Sequence, residues 1–182
     1  MRTDRLTLRQ WEPDDDADVA AAFDMYRRTS VVKWLSRPAK PWASESATRD
    51  RLRRWAAVGV ERPGFGLWAV VPDLVGRPVG TLLLVPLPDA GGAPTEDIEI
   101  GWHFHPDHWG NGYATEAAHT VLDHAFDDLE LPIVNAVAFE GNEPSFAVMR
   151  RLGMSYRGST DRWYDTSFEW WAADRVAPDP QP

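Results

Sequence analysis

One stretch limits the folds open to this chain more than any other. From Glu99 to Ala117 (Glu-Ile-Gly-Trp-His-Phe-His-Pro-Asp-His-Trp-Gly-Asn-Gly-Tyr-Ala-Thr-Glu-Ala) a strand runs into a glycine turn and directly into a helix. Such a junction belongs in an α/β domain, and it makes an anion cradle. Gly110 and Gly112 let backbone N–H groups approach a phosphate closely. The helix beginning near Tyr113 adds the positive end of its dipole, so a diphosphate can be held without a lysine. Asn-Gly is also a common turn. By these residues alone the loop is either a phosphate site or a plain connection.

The 182 residues suit one compact domain and are short for two. We expect a single domain over 1–176 and a disordered, proline-rich tail over 177–182. The absence of cysteine excludes disulfides, thiolate metal sites and cysteine nucleophiles. No apolar run approaches the about 18 residues that span a bilayer, and Met1 to Arg9 lacks the apolar run of a signal peptide, so the expectation is a cytoplasmic protein with no membrane partner. With 28 acidic and 19 basic residues the net charge is −9, which repels a phosphate backbone and argues against nucleic acid as a partner. That field suits a cationic acceptor, and equally serves solubility. Ten tryptophans are scattered along the chain. Most such rings fill core, while those near the two ends can line an acceptor pocket and hold a cation over their faces.

Periodicity orders the rest. Arg5 to Arg9 alternates as a half-buried strand. Pro13 and the acidic run Asp14, Asp15, Asp16 open a helix as cap and dipole partners rather than as a metal site. Ser30 to Leu35 reads as a helical turn and Arg37 to Pro41 as irregular. Ser44 starts a second helix that Gly59 should stop, with Arg49, Arg51, Arg53 and Arg54 as a solvated face. Strands follow over Gly66 to Val71, Val79 to Pro86 and Asp97 to Phe104 as an antiparallel meander, with a hairpin tip over Leu87 to Thr95. A helix over Ala114 to Leu129 and a strand over Ile133 to Phe139 imply a parallel crossover. A helix from Pro144 to Leu152 and two last strands complete the pattern. Alternation along the strand before the loop sets Ile98, Ile100 and Trp102 on one side and Glu99 on the other, with one side facing the core.

The chain resembles the GNAT acetyltransferases, and within them the branch related to the ribosomal-protein N-acetyltransferases RimJ and RimL. The likeness rests on Thr3-Asp-Arg-Leu-Thr-Leu-Arg9, Glu99-Ile-Gly-Trp102, Trp109-Gly-Asn-Gly-Tyr-Ala-Thr-Glu-Ala117, and Asn142-Glu-Pro-Ser145 followed by Arg151-Leu-Gly-Met154, in the family's order. It implies an α/β (α+β) GNAT fold, whose mixed, mostly antiparallel central sheet is splayed between the fourth and fifth strands and flanked by helices. It implies acetyl-CoA as co-substrate, with no metal, and an amine acceptor attacking directly in a ternary complex. The family's pyrophosphate loop, Gln/Arg-x-x-Gly-x-Gly/Ala, falls on Trp109, Gly110, Asn111, Gly112, Tyr113 and Ala114. Trp109 replaces the basic or amide first position, so main-chain amides must carry the anion. Trp102, His103 and Phe104 would pair with the pantetheine arm as an added strand does, and a backbone N–H there would meet the developing oxyanion. Asn142 would hydrogen-bond the pantetheine, a role compatible with capping the next helix.

Many GNATs place an acidic tyrosine seven residues after this asparagine, where this chain has Met149. In the RimJ/RimL branch Ser145 is the candidate, better suited to donate a hydrogen bond to the thiolate than to protonate it. Glu99, acting through a water, is the candidate base, with a structural ion pair as its other reading and Glu140 in reserve. A zinc site on His103, His105 and His108 is disfavoured because no carboxylate completes it. A non-catalytic acetyl-CoA-binding module, suggested by the missing tyrosine, and an aromatic-rich carbohydrate- or peptide-binding domain are the rivals. The acceptor is either a protein N-terminal amine or a small-molecule amine such as an aminoglycoside or polyamine, and a homodimer is compatible with the sequence.

Overall fold

Seven strands form among the described residues: β1 (Leu6–Gln10), β2 (Gly66–Pro72), β3 (Gly80–Pro88), β4 (Pro94–Phe104), β5 (Ile133–Ala138), β6 (Ser155–Thr160) and β7 (Phe168–Asp174); pairing extends β3 and β4 into both sides of the expected hairpin tip over Leu87 to Thr95. This computed structural model describes residues 1–175; the expected domain end at 176 and the tail over 177–182 lie outside the described residues. The sheet order is β1-β2-β3-β4-β5-β7-β6. Pairs β1–β2, β2–β3, β5–β7 and β6–β7 are antiparallel, and β4–β5 is parallel at a single register, Glu99 opposite Asn135. The helices are α1 (Asp16–Tyr26), α2 (Thr29–Val32), α3 (Glu45–Glu61), α4 (Tyr113–Asp123) and α5 (Glu143–Arg151). The described chain forms two compact units, Met1–Val85 with Ile100–Val121, and Pro86–Glu99 with the residues from Leu122 onward. Among the described residues no helix is long and apolar enough to cross a membrane.

In the first unit, Trp11, Val19, Tyr26, Val32 and Leu52 build the core between α1, α3 and β2. The acidic run works as expected at Asp15, whose carboxylate accepts from Ala17 N–H at 2.9 Å and caps α1. The arginines of α3 need a correction. Arg49 and Arg53 reach back to Asp16 (2.6 Å) and Asp14 (3.1 Å), so part of the supposed solvated face pins the start of α1. Ser44 caps α3, but Gly59 does not end it; the helix continues to Glu61. Its missing side chain serves a close approach instead, since a Cβ at Gly59 would stand 2.9 Å from the Gln10 amide nitrogen.

In the second unit β5, β7 and β6 pair edge to edge, and Phe139 stacks on Phe168 at 4.7 Å between ring centres. The helix expected to run to Leu129 changes its winding. Residues His124–Asp128 are π-helical, closed by Leu129 N–H donating to His124 O, a bond one residue longer than an α turn. Asn142 caps α5 by accepting from Ser145 N–H at 3.4 Å, as its place before Pro144 implied.

Candidate active site

The loop after β4 lies in the first unit and is built from main chain. Trp109 is half exposed, yet its indole N–H donates to Phe104 O at 2.8 Å, which fixes the loop against the last residue of its own strand. Gly110 and Gly112 both hold φ near +78°, a left-handed conformation that costs other residues about 1–2 kcal/mol. A Cβ at Gly110 would meet nothing within 4 Å, so this glycine is required by backbone shape and not by crowding. Tyr113 and Ala114 are the first residues of α4, whose opening N–H groups lack intrahelical partners. Asn111 uses its amide to close the turn onto His108 O at 3.0 Å.

A side chain from far back in the sequence supports this loop. Arg5 donates to Asn111 O at 3.2 Å, pairs with Glu116 in the first turn of α4 at 2.5 Å, and lies over the Tyr113 ring at 5.2 Å. Thr3 Oγ1 donates to the same Glu116 at 2.5 Å. Burial pushes the Glu116 carboxyl up, but the hydrogen bonds from Thr3 and Arg5 outweigh it and leave the group below its usual range. The strand ahead of the loop is set with similar care. His103 Nδ1 lies 2.9 Å from the hydroxyl of buried Tyr26, which also donates to Thr81 at 2.8 Å. Burial lowers His103 to about 4, so it is neutral near pH 7. His105 is occupied as well, since Nδ1 accepts from Asp107 N–H at 3.2 Å and Nε2 therefore donates to Asp24 at 3.1 Å.

The part of β4 that carries Glu99 lies in the second unit and is built from side chains. The expectation of one buried face needs correcting there, because Ile98, Glu99 and Ile100 are all buried, Glu99 with only 8% of its surface exposed. The cover comes from Tyr164, whose hydroxyl donates to Glu99 Oε2 at 2.5 Å. No ion pair holds Glu99 among the described residues; its partner is a neutral phenol. Burial raises the carboxyl to about 7, with the Tyr164 hydrogen bond pulling the other way. Across the parallel pair Asn135 donates to Ile98 O at 3.1 Å and accepts from Trp170 Nε1 at 2.9 Å, fixing the strand that carries Glu99. Glu140, the reserve candidate, is exposed past the end of β5.

Residues 5–155 match the family model described as an acetyltransferase (GNAT) domain, which covers most of the chain. The chain belongs to the GNAT acetyltransferases. The uncharacterised protein YkkB of Bacillus subtilis is 30% identical over 162 residues, 88% of each chain. An acetyltransferase of the GNAT family from Bacillus anthracis has the same fold, with a TM-score of 0.76 at 22% identity over 96% of this chain and 97% of that one. The ribosomal-protein-S5-alanine acetyltransferase of Vibrio fischeri also shares the fold, at TM-score 0.72 and 16% identity over 100% of this chain and 98% of that one.

In this GNAT protein the second motif stays within its own unit. Asn142 is buried at the head of α5 with Ser145 half-buried in the first turn, while Met149 is fully buried in the apolar interior. Three of the tryptophans expected to be able to hold a cation already carry one of the protein's own. Arg51 lies 5.1 Å from Trp42, Lys33 4.8 Å from Trp34 and Arg162 5.2 Å from Trp163. Two contributors escaped the sequence reading. Arg5 carried a signal, because it lies inside the opening motif that marks the family. Tyr164 carried none.

Proposed function

We propose that this protein transfers an acetyl group from acetyl-CoA to a primary amine, by direct attack of the amine in a ternary complex, as one catalytic domain over 1–176. The observation that carries the reading is the main-chain cradle. Gly110 and Gly112, both left-handed, lead into the opening N–H groups of α4, and Arg5 donates to the Asn111 carbonyl and braces the loop. These residues fit a diphosphate, being rich in donors and free of carboxylates other than the neutralised Glu116.

Acetyl-CoA would supply an acyl group already activated as a thioester. The main-chain N–H groups of Gly110 to Ala114 would bind its pyrophosphate, the backbone of Trp102, His103 and Phe104 its pantetheine arm, and the Asn142 amide the same arm. The amine lone pair forms the new C–N bond as the C–S bond breaks. Glu99, through a water, accepts the proton the nitrogen loses, and a carboxyl raised to about 7 is well matched to that exchange near neutrality. The Ser145 hydroxyl is placed by the motif to donate to the departing thiolate, which a thiol pKa of about 8.5 allows to leave without a full proton donor. The negative charge of the chain favours a cationic acceptor. The acceptor is a protein N-terminal amine or a small-molecule amine, and the amine panel below decides between them.

Met149 favours a second reading, a module that binds acetyl-CoA without turnover. Release of free thiol from acetyl-CoA against a panel of peptide and small amines, with calorimetric titration of coenzyme A, separates the two. Turnover with any amine, reduced by about 10²–10⁴ in Glu99→Gln, is the expected result. Coenzyme A binding with no turnover on any amine leaves the inert module, and no binding at all overturns both.

A further inference from the structure

Tyr164 stands in a costly piece of backbone. It and Asp165 hold φ of 61° and 51°, consecutive left-handed positions without a glycine, in the loop joining β6 to β7. Such a turn persists only where its surroundings over-determine it, and three contacts do so. Trp163, 1% exposed, is plugged into the interior with its indole N–H donating to Asp97 Oδ2 at 3.1 Å. Arg162 pairs with the same carboxylate at 3.0 Å, and Tyr164 N–H reaches Pro88 O at 3.3 Å. The plug and the ion pair thus clamp the turn to the strands beside the tip of the β3–β4 hairpin. The hydroxyl of Tyr164 is thereby delivered to Glu99 Oε2, while the residue as a whole remains 41% exposed.

We propose that Tyr164 is a positioning residue for Glu99: its hydroxyl holds Oε2 and leaves Oε1 as the oxygen that takes the acceptor's proton. The inference rests on the reading of Glu99 as the base. A carboxylate without this clamp has two equivalent oxygens and rotates between them; with it, one oxygen is committed and the other is aimed. The clamp also makes a buried carboxylate tolerable, because a donated hydrogen bond favours the charged form. The other groups facing this carboxylate are accounted for. Asp97 on the same strand is taken by Arg162 and Trp163, and Asn135 on β5 is neutral and tied to Ile98 and Trp170. Glu96 on β4 is exposed, and on β7 Glu169 is held by Tyr156 and Ser159 while Asp174 pairs with Arg157.

Tyr164→Phe tests this, because it keeps the ring and removes only the hydroxyl. The expected result is a rise of the acid limb of the kcat/KM profile by about one to two units, so that activity well below the limb falls about 10- to 100-fold. The carboxyl carbon of Glu99, followed by NMR titration in the same variant, should move by the same amount. A limb and a resonance that both stay in place, with only a uniform loss of rate or of folded protein, overturn the proposal. Should Tyr164→Phe not accumulate, Glu99→Gln gives the reciprocal measurement. The Tyr164 ring-carbon resonance beside the hydroxyl should differ between wild type and variant, and an unchanged resonance overturns the proposal. Full turnover in Glu99→Gln would instead sink the base assignment, and the carboxyl titration would still report whether Tyr164 controls Glu99.

Discussion

The loop that follows β4 and the middle of the strand solve different problems with different materials. Past Phe104 the chain makes its site from backbone: two left-handed glycines, the first amides of α4 and an indole tied to a carbonyl. At Glu99 it makes one from side chains gathered from separate strands and a loop, with a phenol and a carboxylate 2.5 Å apart in a buried setting. A main-chain site tolerates many side chains and depends on a few conformations, whereas a side-chain site depends on each partner's identity. That difference teaches where substitutions should hurt and which measurement should register them.

The sharpest way to break the comparison is pH. Because Glu99 is raised from an ordinary carboxyl value to about 7, the folded state holds its proton more tightly than the unfolded chain does. The stability it contributes is full below the unfolded value of about 4.5 and is lost as pH rises through about 7, by about 3 kcal/mol. Chemical denaturation of wild type and Glu99→Gln across that window should show the stability of wild type falling by this amount relative to the variant, a difference from which the opposite contribution of His103, lowered to about 4, cancels. Equal slopes in both would mean that Glu99 is not held as a buried acid.

In the loop, Gly112→Val forces a β-branched residue into φ of +78° and should weaken coenzyme A about 10- to 100-fold by calorimetry. The pH limb of the reaction should stay where it is. If the limb moves as well, the two sites are not separable. Asn142→Ala removes a helix cap and should lower stability by about 1 kcal/mol in thermal melts, more than Asn142→Asp does. The smallest effect expected is from Arg5→Ala. Its half-exposed pairing with Glu116 should change the KM for acetyl-CoA by about twofold to fivefold, fading in high salt. A larger loss would make Arg5 a direct ligand of the anion and not a support for the loop.

Much of the first site was legible because its signals are local. The glycines, the following helix and the strand before them are contiguous, and their conformations follow from residue type and period. Asn142 ahead of Pro144 was readable as a cap on the same grounds. Gly59 misled, since a glycine near a helix end signals a stop unless a neighbouring side chain needs its space, and Gln10 is 49 positions away in sequence. The single buried face expected for β4 failed for a similar reason. Alternation shows which side chains lie together, and not that a tyrosine 65 residues later covers the other side.

By itself, then, the sequence determined the strand–loop–helix junction, the element order and the family that goes with them, because short-range periodicity, capping and glycine conformation are properties of neighbouring residues. Only the tertiary structure decided that Arg5 braces the cradle, that Met149 is sealed in the interior, and that Tyr164 holds Glu99. Those contacts are made by chain segments that meet through packing, and the low-dielectric surroundings that move Glu99 into the neutral range exist only once the strands and the β6–β7 loop have closed around it.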